Sequence, residues 1–224
     1  MKKIFSIAID GPAGAGKSTV ARGAADALGA MYLDTGAMYR AVGLYFMRKG
    51  LENDREAVVR MAGDINIAVG FEDGVQHMYL DGEDVSEAIR TPEASMAASK
   101  VSAVPEVRAR LVRLQRDTAR GVSIIMDGRD IGTKVLPDAT LKLYITASCE
   151  VRALRRYCEL REKGEHPLYH EVLDDIVERD YNDMHRAASP LTRAEDAILL
   201  DTSSLTLKES VDEVVRLARE VIGG

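Results

Sequence analysis

The sequence predicts an α/β fold. We expect a five-stranded parallel sheet with helices on both faces, a small antiparallel β insert and a helical lid. Three observations carry this. Short apolar runs recur near residues 4, 31, 122, 141 and 197, with helical stretches between them. The first run leads through a glycine-rich loop into an Ala-rich helix. Residues 65–85 instead alternate between apolar and polar, with turn residues at short intervals.

Taken in order, Ile4-Phe5-Ser6-Ile7-Ala8-Ile9 has the length and β-branched content of a buried parallel strand. Asp10-Gly11-Pro12-Ala13-Gly14-Ala15-Gly16-Lys17-Ser18-Thr19 follows, the Gly-x-x-x-x-Gly-Lys-Ser phosphate-binding loop in its strand-to-helix context. Its glycines let backbone N–H groups close on phosphates, and the helix after it adds its positive end. Residues Gly11, Pro12, Ala13, Gly14, Ala15, Gly16, Lys17, Ser18 and Thr19 are therefore the expected nucleoside triphosphate cradle. Lys17 is assigned to the β- and γ-phosphates, the Ser18 hydroxyl to Mg²⁺, and Thr19 to a further phosphate contact. A ligand-free glycine turn is the competing reading, but it leaves the complete motif unexplained.

The first helix should stop near Gly29. Met31-Tyr32-Leu33 is a short strand, followed by a helix from Thr35, the expected N-cap, to about Lys49. That helix carries Tyr39 and Arg40 near the C-terminal edge of the sheet, where open α/β folds bind ligands. Residues 53–64 look helical. Ile65–Val69 and Gln76–Leu80 then form a hairpin region, with Gly70, Asp73-Gly74 and Asp81-Gly82 as turns.

Residues 86–120 read as helix broken at Pro92 and Pro105, with five arginines from Arg108 to Arg120 on a default solvated face. Val122–Met126 is a buried strand closed by Asp127-Gly128-Arg129-Asp130, a Walker-B-like end whose Asp127 is a candidate for Mg²⁺, directly or through water. Leu141–Ile145 is the next strand. A helix over 150–163 carries Arg152, Arg155 and Arg156. A break at 164–167 separates it from a helix over 170–186, where Arg179, Asp183 and Arg186 fall on one face by their spacing. Two arginines around one carboxylate either neutralise each other or close over a transferring phosphoryl group. The two helices and their loop form the expected lid. A strand at 197–201 and an amphipathic helix over 206–222 complete the chain.

Composition narrows the function. A chain of 224 residues, 46% hydrophobic and 29% charged, suits one globular domain. Its net charge of −6 argues against general nucleic-acid binding, so cations for phosphate must be gathered locally. No apolar run reaches about 18 residues, so neither a membrane span nor a targeting segment is expected. Cys149 and Cys158 fall on opposite faces of one helix and are expected as free thiols, in keeping with a cytoplasmic location. The histidines at 77, 166, 170 and 185 make no metal set and read as solvated loop residues.

Six segments in order resemble the bacterial cytidylate kinases of the P-loop nucleoside monophosphate kinase superfamily. They are residues 9–19, Leu-Asp-Thr-Gly-Ala-Met-Tyr-Arg at 33–40, and Ile-Arg-Thr-Pro-Glu at 89–93. Ala-Ser-Lys-Val-Ser-Ala at 98–103, Asp-Gly-Arg-Asp-Ile-Gly-Thr at 127–133 and Arg-Asp-x-x-Asp at 179–183 follow. The resemblance implies one kinase domain: a core over about 1–62, 101–151 and 188–224, a monophosphate-binding insert over about 63–100, and a lid over about 152–187. It implies γ-phosphoryl transfer from ATP to CMP or dCMP with Mg²⁺, by a monomer.

Carried over by position, Thr35, Tyr39, Arg40, Ser99, Arg108, Arg129, Asp130, Asp183 and Arg186 would bind the monophosphate. Ser99, Arg108 and Asp130 would read cytosine, while Arg40 and Arg129 would clamp its phosphate. Lys17, Arg129, Arg179 and Arg186 would act on the transferring group. Thr35 stands where many relatives have Ser, and either hydroxyl can make the bond. An adenylate kinase would show Asp-Gly-Phe-Pro-Arg where Asp127-Gly128-Arg129-Asp130 stands. A GTP switch would show Asn-Lys-x-Asp, which does not occur.

Overall fold

The apolar runs assemble into one parallel sheet, and the phosphate-binding loop leaves from its middle strand. A computed structural model of the chain describes residues 4–223. In order the elements are β1 (Ser6–Asp10), α1 (Lys17–Leu28), β2 (Met31–Asp34), α2 (Thr35–Arg48), α3 (Arg55–Met61), β3 (Ile67–Glu72), β4 (Val75–Leu80) and β5 (Glu83–Asp84). Then come α4 (Pro92–Ser102), α5 (Pro105–Thr118), β6 (Ile124–Gly128), a π turn (Ile131–Val135) and β7 (Leu141–Thr146). The chain ends with α6 (Cys149–Glu162), α7 (Tyr169–His185), β8 (Ile198–Asp201) and α8 (Leu207–Gly223).

The main sheet has the order β2-β6-β1-β7-β8 with every pairing parallel. Side chains alternate across it, as a period of two requires. Ile7 and Ile9 join Ile125, Leu143 and Ile145 in an apolar layer with α1 and α8. Ala8 joins Leu33, Ile124 and Met126 in the opposite layer with α2 and α5. That second layer continues into the small sheet, β3-β4-β5, through Ile67, Met78 and Leu80. α4 also packs closely on α2: a Cβ at Gly43 would lie 2.8 Å from the Ala98 backbone nitrogen. The helices α6 and α7 carry a separate small apolar cluster of Ala153, Val172 and Ile176.

Several local expectations are corrected. Asp34, not Thr35, caps α2, because its carboxylate accepts from the Ala37 N–H at 2.9 Å while the Thr35 hydroxyl donates to the Asp127 carbonyl at 2.7 Å. Gly70 is no turn; it pairs with His77 inside the β3–β4 ladder, and the reversal lies at Asp73-Gly74. A short third strand, β5, extends that hairpin. The helix expected over 53–64 shortens to α3, capped by the Asp54 carboxylate. Residues 86–89 form turns rather than helix, and both Pro92 and Pro105 begin helices instead of merely breaking one.

The third apolar run starts two residues late, at Ile124, and extends to take Asp127 into β6. Arg186 lies just beyond α7 in extended backbone. Three of the four histidines are not in loops: His77 is in β4, and His170 and His185 are in α7. Arg110 and Arg116 are not simply solvated, since they donate to the carbonyls of Gly63 and Ile65, and of Lys134 and Val135.

Candidate active site

The C-terminal ends of β1, β2 and β6 open into a cavity of about 640 Å³, bounded further by α4, α6 and α7. Eight cationic and five acidic side chains line it, so a chain of net negative charge carries a locally positive cleft. All of the sequence-predicted site residues line this cavity except Gly11 and Pro12, which lie buried beneath its floor.

The phosphate loop is tightly built. Gly11 has φ 147°, and a Cβ there would fall 1.9 Å from the Ile145 carbonyl oxygen, so only glycine fits. The Lys17 ammonium donates to the Pro12 carbonyl at 2.6 Å. Burial pulls the Lys17 pKa well below the ordinary lysine value, and Arg129 adds to this, although Asp127 and Asp10 oppose it. Ser18 and Thr19 open α1 and are exposed towards the cavity.

Asp127 sits at the end of β6 with both oxygens occupied: Ser18 donates to one at 2.8 Å and Tyr32 to the other at 2.8 Å. Desolvation holds its carboxyl above the usual range. A hydroxyl and a carboxylate side by side form the hard-oxygen donor set that Mg²⁺ takes. The Ser18–Asp127 pair therefore fits that ion. Tyr32 was not identified from sequence; its hydroxyl orients the carboxylate from the neighbouring strand β2.

Arg129 and Asp130 are adjacent but do not pair with each other. Arg129 donates to Asp183 of α7 at 2.7 Å, while Asp130 pairs with Arg108 of α5. The Arg108 guanidinium also donates to the Ser102 carbonyl at 3.1 Å and lies over the Tyr39 ring, 5.4 Å from its centroid. Arg186 lies near Asp183 at 3.7 Å and donates to the Ser189 carbonyl at 2.6 Å. One nitrogen each of Arg108 and Arg186 is buried with no protein partner. Arg179 has no carboxylate partner among the described residues. Desolvation in the cleft, then Arg129, lowers its pKa even though part of the side chain reaches solvent. Arg40 pairs with the capping Asp34 at 2.9 Å. Ser99 is exposed on α4, on the cavity side.

Two further features have no role in the sequence reading, and a third, the α6 arginines, is placed on its helix there without one. Asp10 is buried at the end of β1 and accepts from the Ile131 and Gly132 N–H groups, both at 2.8 Å, so it holds the π turn that follows Arg129 and Asp130. Gln76 of β4 grips the Asp34 backbone, accepting from its N–H at 2.7 Å and donating to its carbonyl at 3.1 Å. Arg155 and Arg156 line the cavity beside the phosphate loop, and Arg155 donates to the Thr202 carbonyl at 2.7 Å. An acidic residue closing an apolar strand was the available signal for Asp10. Nothing local marks Gln76.

Comparison with known proteins gives the family of the chain. A family model described as cytidylate kinase matches residues 7–220. A cytidylate kinase of Caldicellulosiruptor bescii is 51% identical over 223 residues, covering 99% of this chain and 98% of its own length. One of Caldanaerobacter subterraneus subsp. tengcongensis is 53% identical over 215 residues, covering 96% and 94%. Among solved structures, an uncharacterized protein from Eubacterium ventriosum shares the fold, with a TM-score of 0.52 and 12% identity over 96% of this chain and 98% of its own. With that family match spanning the cavity and both layers around it, the chain belongs to the cytidylate kinase family.

Proposed function

We propose that this chain moves the γ-phosphoryl group of ATP to CMP or dCMP, giving ADP and CDP or dCDP. The observation that carries this reading is the Asp130–Arg108 pair beside the Arg129–Asp183 pair, in one cavity with the phosphate loop. ATP takes the loop at residues 11–19, with Lys17 on its terminal phosphates. The acceptor takes the other half. Ser99, Arg108 and Asp130 offer donors and an acceptor to the cytosine edge, and Thr35, Tyr39, Arg40, Arg129, Asp183 and Arg186 hold the rest.

No general base is needed. A nucleoside monophosphate has a second pKa of about 6, so its attacking oxygen is already ionised at pH 7. The protein then has to align the two substrates and neutralise charge. Arg129, Arg179 and Arg186 converge with Lys17 on one cavity, which supports that role. Ser18 and Asp127 would hold Mg²⁺, which supplies charge neutralisation at the phosphates when bound.

Residues 63–100 and 152–187 serve as the monophosphate-binding insert and the lid over a core of the remaining residues. The separate apolar cluster of α6 and α7 suits a body that moves as a unit. Closure would keep water from taking the phosphoryl group. A monomer goes with this reading, as the family resemblance implies. The two thiols are free, in keeping with the cytoplasm, where ATP and CMP are met.

The test is ADP release with ATP and Mg²⁺ against CMP, dCMP, UMP, AMP, GMP and shikimate in parallel. Turnover with CMP and dCMP far above the purines is expected. Turnover on a purine monophosphate would overturn the roles of Ser99, Arg108 and Asp130.

A further inference from the structure

Arg152 stands apart from the other arginines of α6. It is only 3% exposed, and its guanidinium points into the base of the α6–α7 pair. Nε donates to the Ala147 carbonyl at 2.9 Å. Nη1 donates to the Ala13 carbonyl of the phosphate loop at 2.9 Å and to Asp180 at 3.0 Å, and Nη2 donates to Asp180 at 2.5 Å. One side chain thus joins three parts of the molecule: the end of β7, the phosphate loop, and the middle of α7. Apolar contact reinforces the joint. A Cβ at Gly14 would lie 3.2 Å from the Ile176 side chain and 3.3 Å from the Arg152 Cβ, so α6 and α7 rest directly on the loop's crown.

Asp180 is adjacent to Arg179, and Asp183 lies less than one helical turn further on. The bidentate contact sets the position of Asp180 in two directions at once. The register of Arg179 and Asp183 over the cavity is therefore set from the phosphate loop, through Arg152. The Ala13 carbonyl belongs to the phosphate-binding loop, so Arg152 bonds directly to the segment on which nucleotide phosphates would rest.

We propose that Arg152 and Asp180 are positioning residues for phosphoryl transfer, holding α7 in register on the phosphate loop so that nucleotide bound there orders Arg179 and Asp183. Neither touches the reacting atoms. The assignment rests on the kinase reading above and adds a route by which donor occupancy prepares the acceptor side.

The test compares the wild type with Asp180→Asn, which keeps the shape and one acceptor oxygen, and with Arg152→Met. Leu154→Ser, on the exposed face of α6, is the control. Hydrogen exchange over residues 169–185 is followed with and without a non-hydrolysable ATP analogue, and kcat and KM are measured for ATP and CMP. In the wild type and the control, the analogue should slow exchange over α7. In Asp180→Asn it should not, although analogue affinity stays within about threefold, and kcat should fall by about 10- to 100-fold, the scale of a roughly 1 Å misplacement.

Unchanged kcat in Asp180→Asn would overturn the proposal. So would analogue protection of α7 that persists in this variant, or that is missing from the wild type. Should Arg152→Met fail to fold, Asp180→Asn carries the test alone. A protein that shows clasp-dependent protection but no CMP turnover would sink the kinase reading and leave the coupling standing.

Discussion

Arg129, just past the end of β6, and Asp183 of α7 meet at 2.7 Å, and Asp183 is also the carboxylate paired with Arg186. One acid therefore holds two arginines that would otherwise repel across the cavity. Burial alone would raise its pKa, but Arg129 and then Arg186 outweigh it and bring it below the ordinary value. With a depressed folded pKa, its contribution is complete above about pH 4 and is lost as the pH falls further. Asp183→Asn should raise the KM for the monophosphate and lower kcat by about 10- to 100-fold in kcat/KM, the worth of roughly 1.5–3 kcal/mol in a charged hydrogen bond. The KM for ATP should stay within about threefold. Initial rates with each substrate varied in turn decide it; equal weakening of ATP would mean the pair merely supports the fold.

Arg186 differs from Arg129 in keeping a buried nitrogen without a protein partner. That free donor suits a group whose charge develops during transfer. Arg186→Ala should cut turnover by about 100-fold or more while ATP affinity changes little. Calorimetric titration with ATP beside a turnover assay separates the two effects. Parallel losses would make Arg186 a binding residue only.

The legible part of the molecule is the part written locally. Buried parallel strands are apolar runs that end in polar residues, so all five strands could be read from single segments. The phosphate loop is one continuous motif. What escaped depends on contacts between distant residues: Asp10 with Ile131 and Gly132, Arg152 with Ala13, and Gln76 with Asp34. Nothing around Arg152 distinguishes it from Arg155 and Arg156 before the helix is docked. Thr35 reads as a cap in sequence because hydroxyl and carboxylate caps look alike there, and tertiary contact with the Asp127 carbonyl decides between them.

Gln76 predicts a link between the small sheet and the acceptor side. Its amide satisfies both backbone groups of Asp34, and the Asp34 carboxylate in turn holds Arg40. Gln76→Leu keeps the bulk and removes both bonds. The variant should bind CMP about three- to tenfold more weakly, in line with roughly 0.5–1.5 kcal/mol for a neutral hydrogen bond, with ATP affinity unchanged. Direct titration with each nucleotide checks this. Intact CMP binding would mean that Arg40 is held without the hairpin.

Gly11 predicts an effect on folding rather than chemistry. Gly11→Ala would drive its Cβ to within 1.9 Å of the Ile145 carbonyl at a φ that alanine rarely adopts. The backbone of β7 cannot give way without breaking its pairing with β1. The variant should lose roughly 3 kcal/mol or more and accumulate as insoluble protein. A soluble variant with wild-type thermal stability would show that the loop has room to rearrange.

Asp10 predicts a pH-dependent cost. Its carboxyl is pushed up to about 6 from 3.8 by burial, even though the Gly132 and Ile131 N–H groups pull the other way. A folded pKa above the unfolded value means the group costs nothing while neutral in both states, below about pH 4. The penalty grows as the pH rises through about 6, reaching roughly 3 kcal/mol from a shift of about two pH units. At neutral pH the ionised acid is therefore a local burden, retained where it anchors the turn after Arg129 and Asp130. Asp10→Asn removes the ionisation and one N–H acceptor. The stability difference, wild type minus variant, should fall by roughly 3 kcal/mol between pH 4 and pH 8, measured by chemical denaturation at each pH. A difference that stays flat across this range would place the Asp10 pKa near its ordinary value and remove the cost.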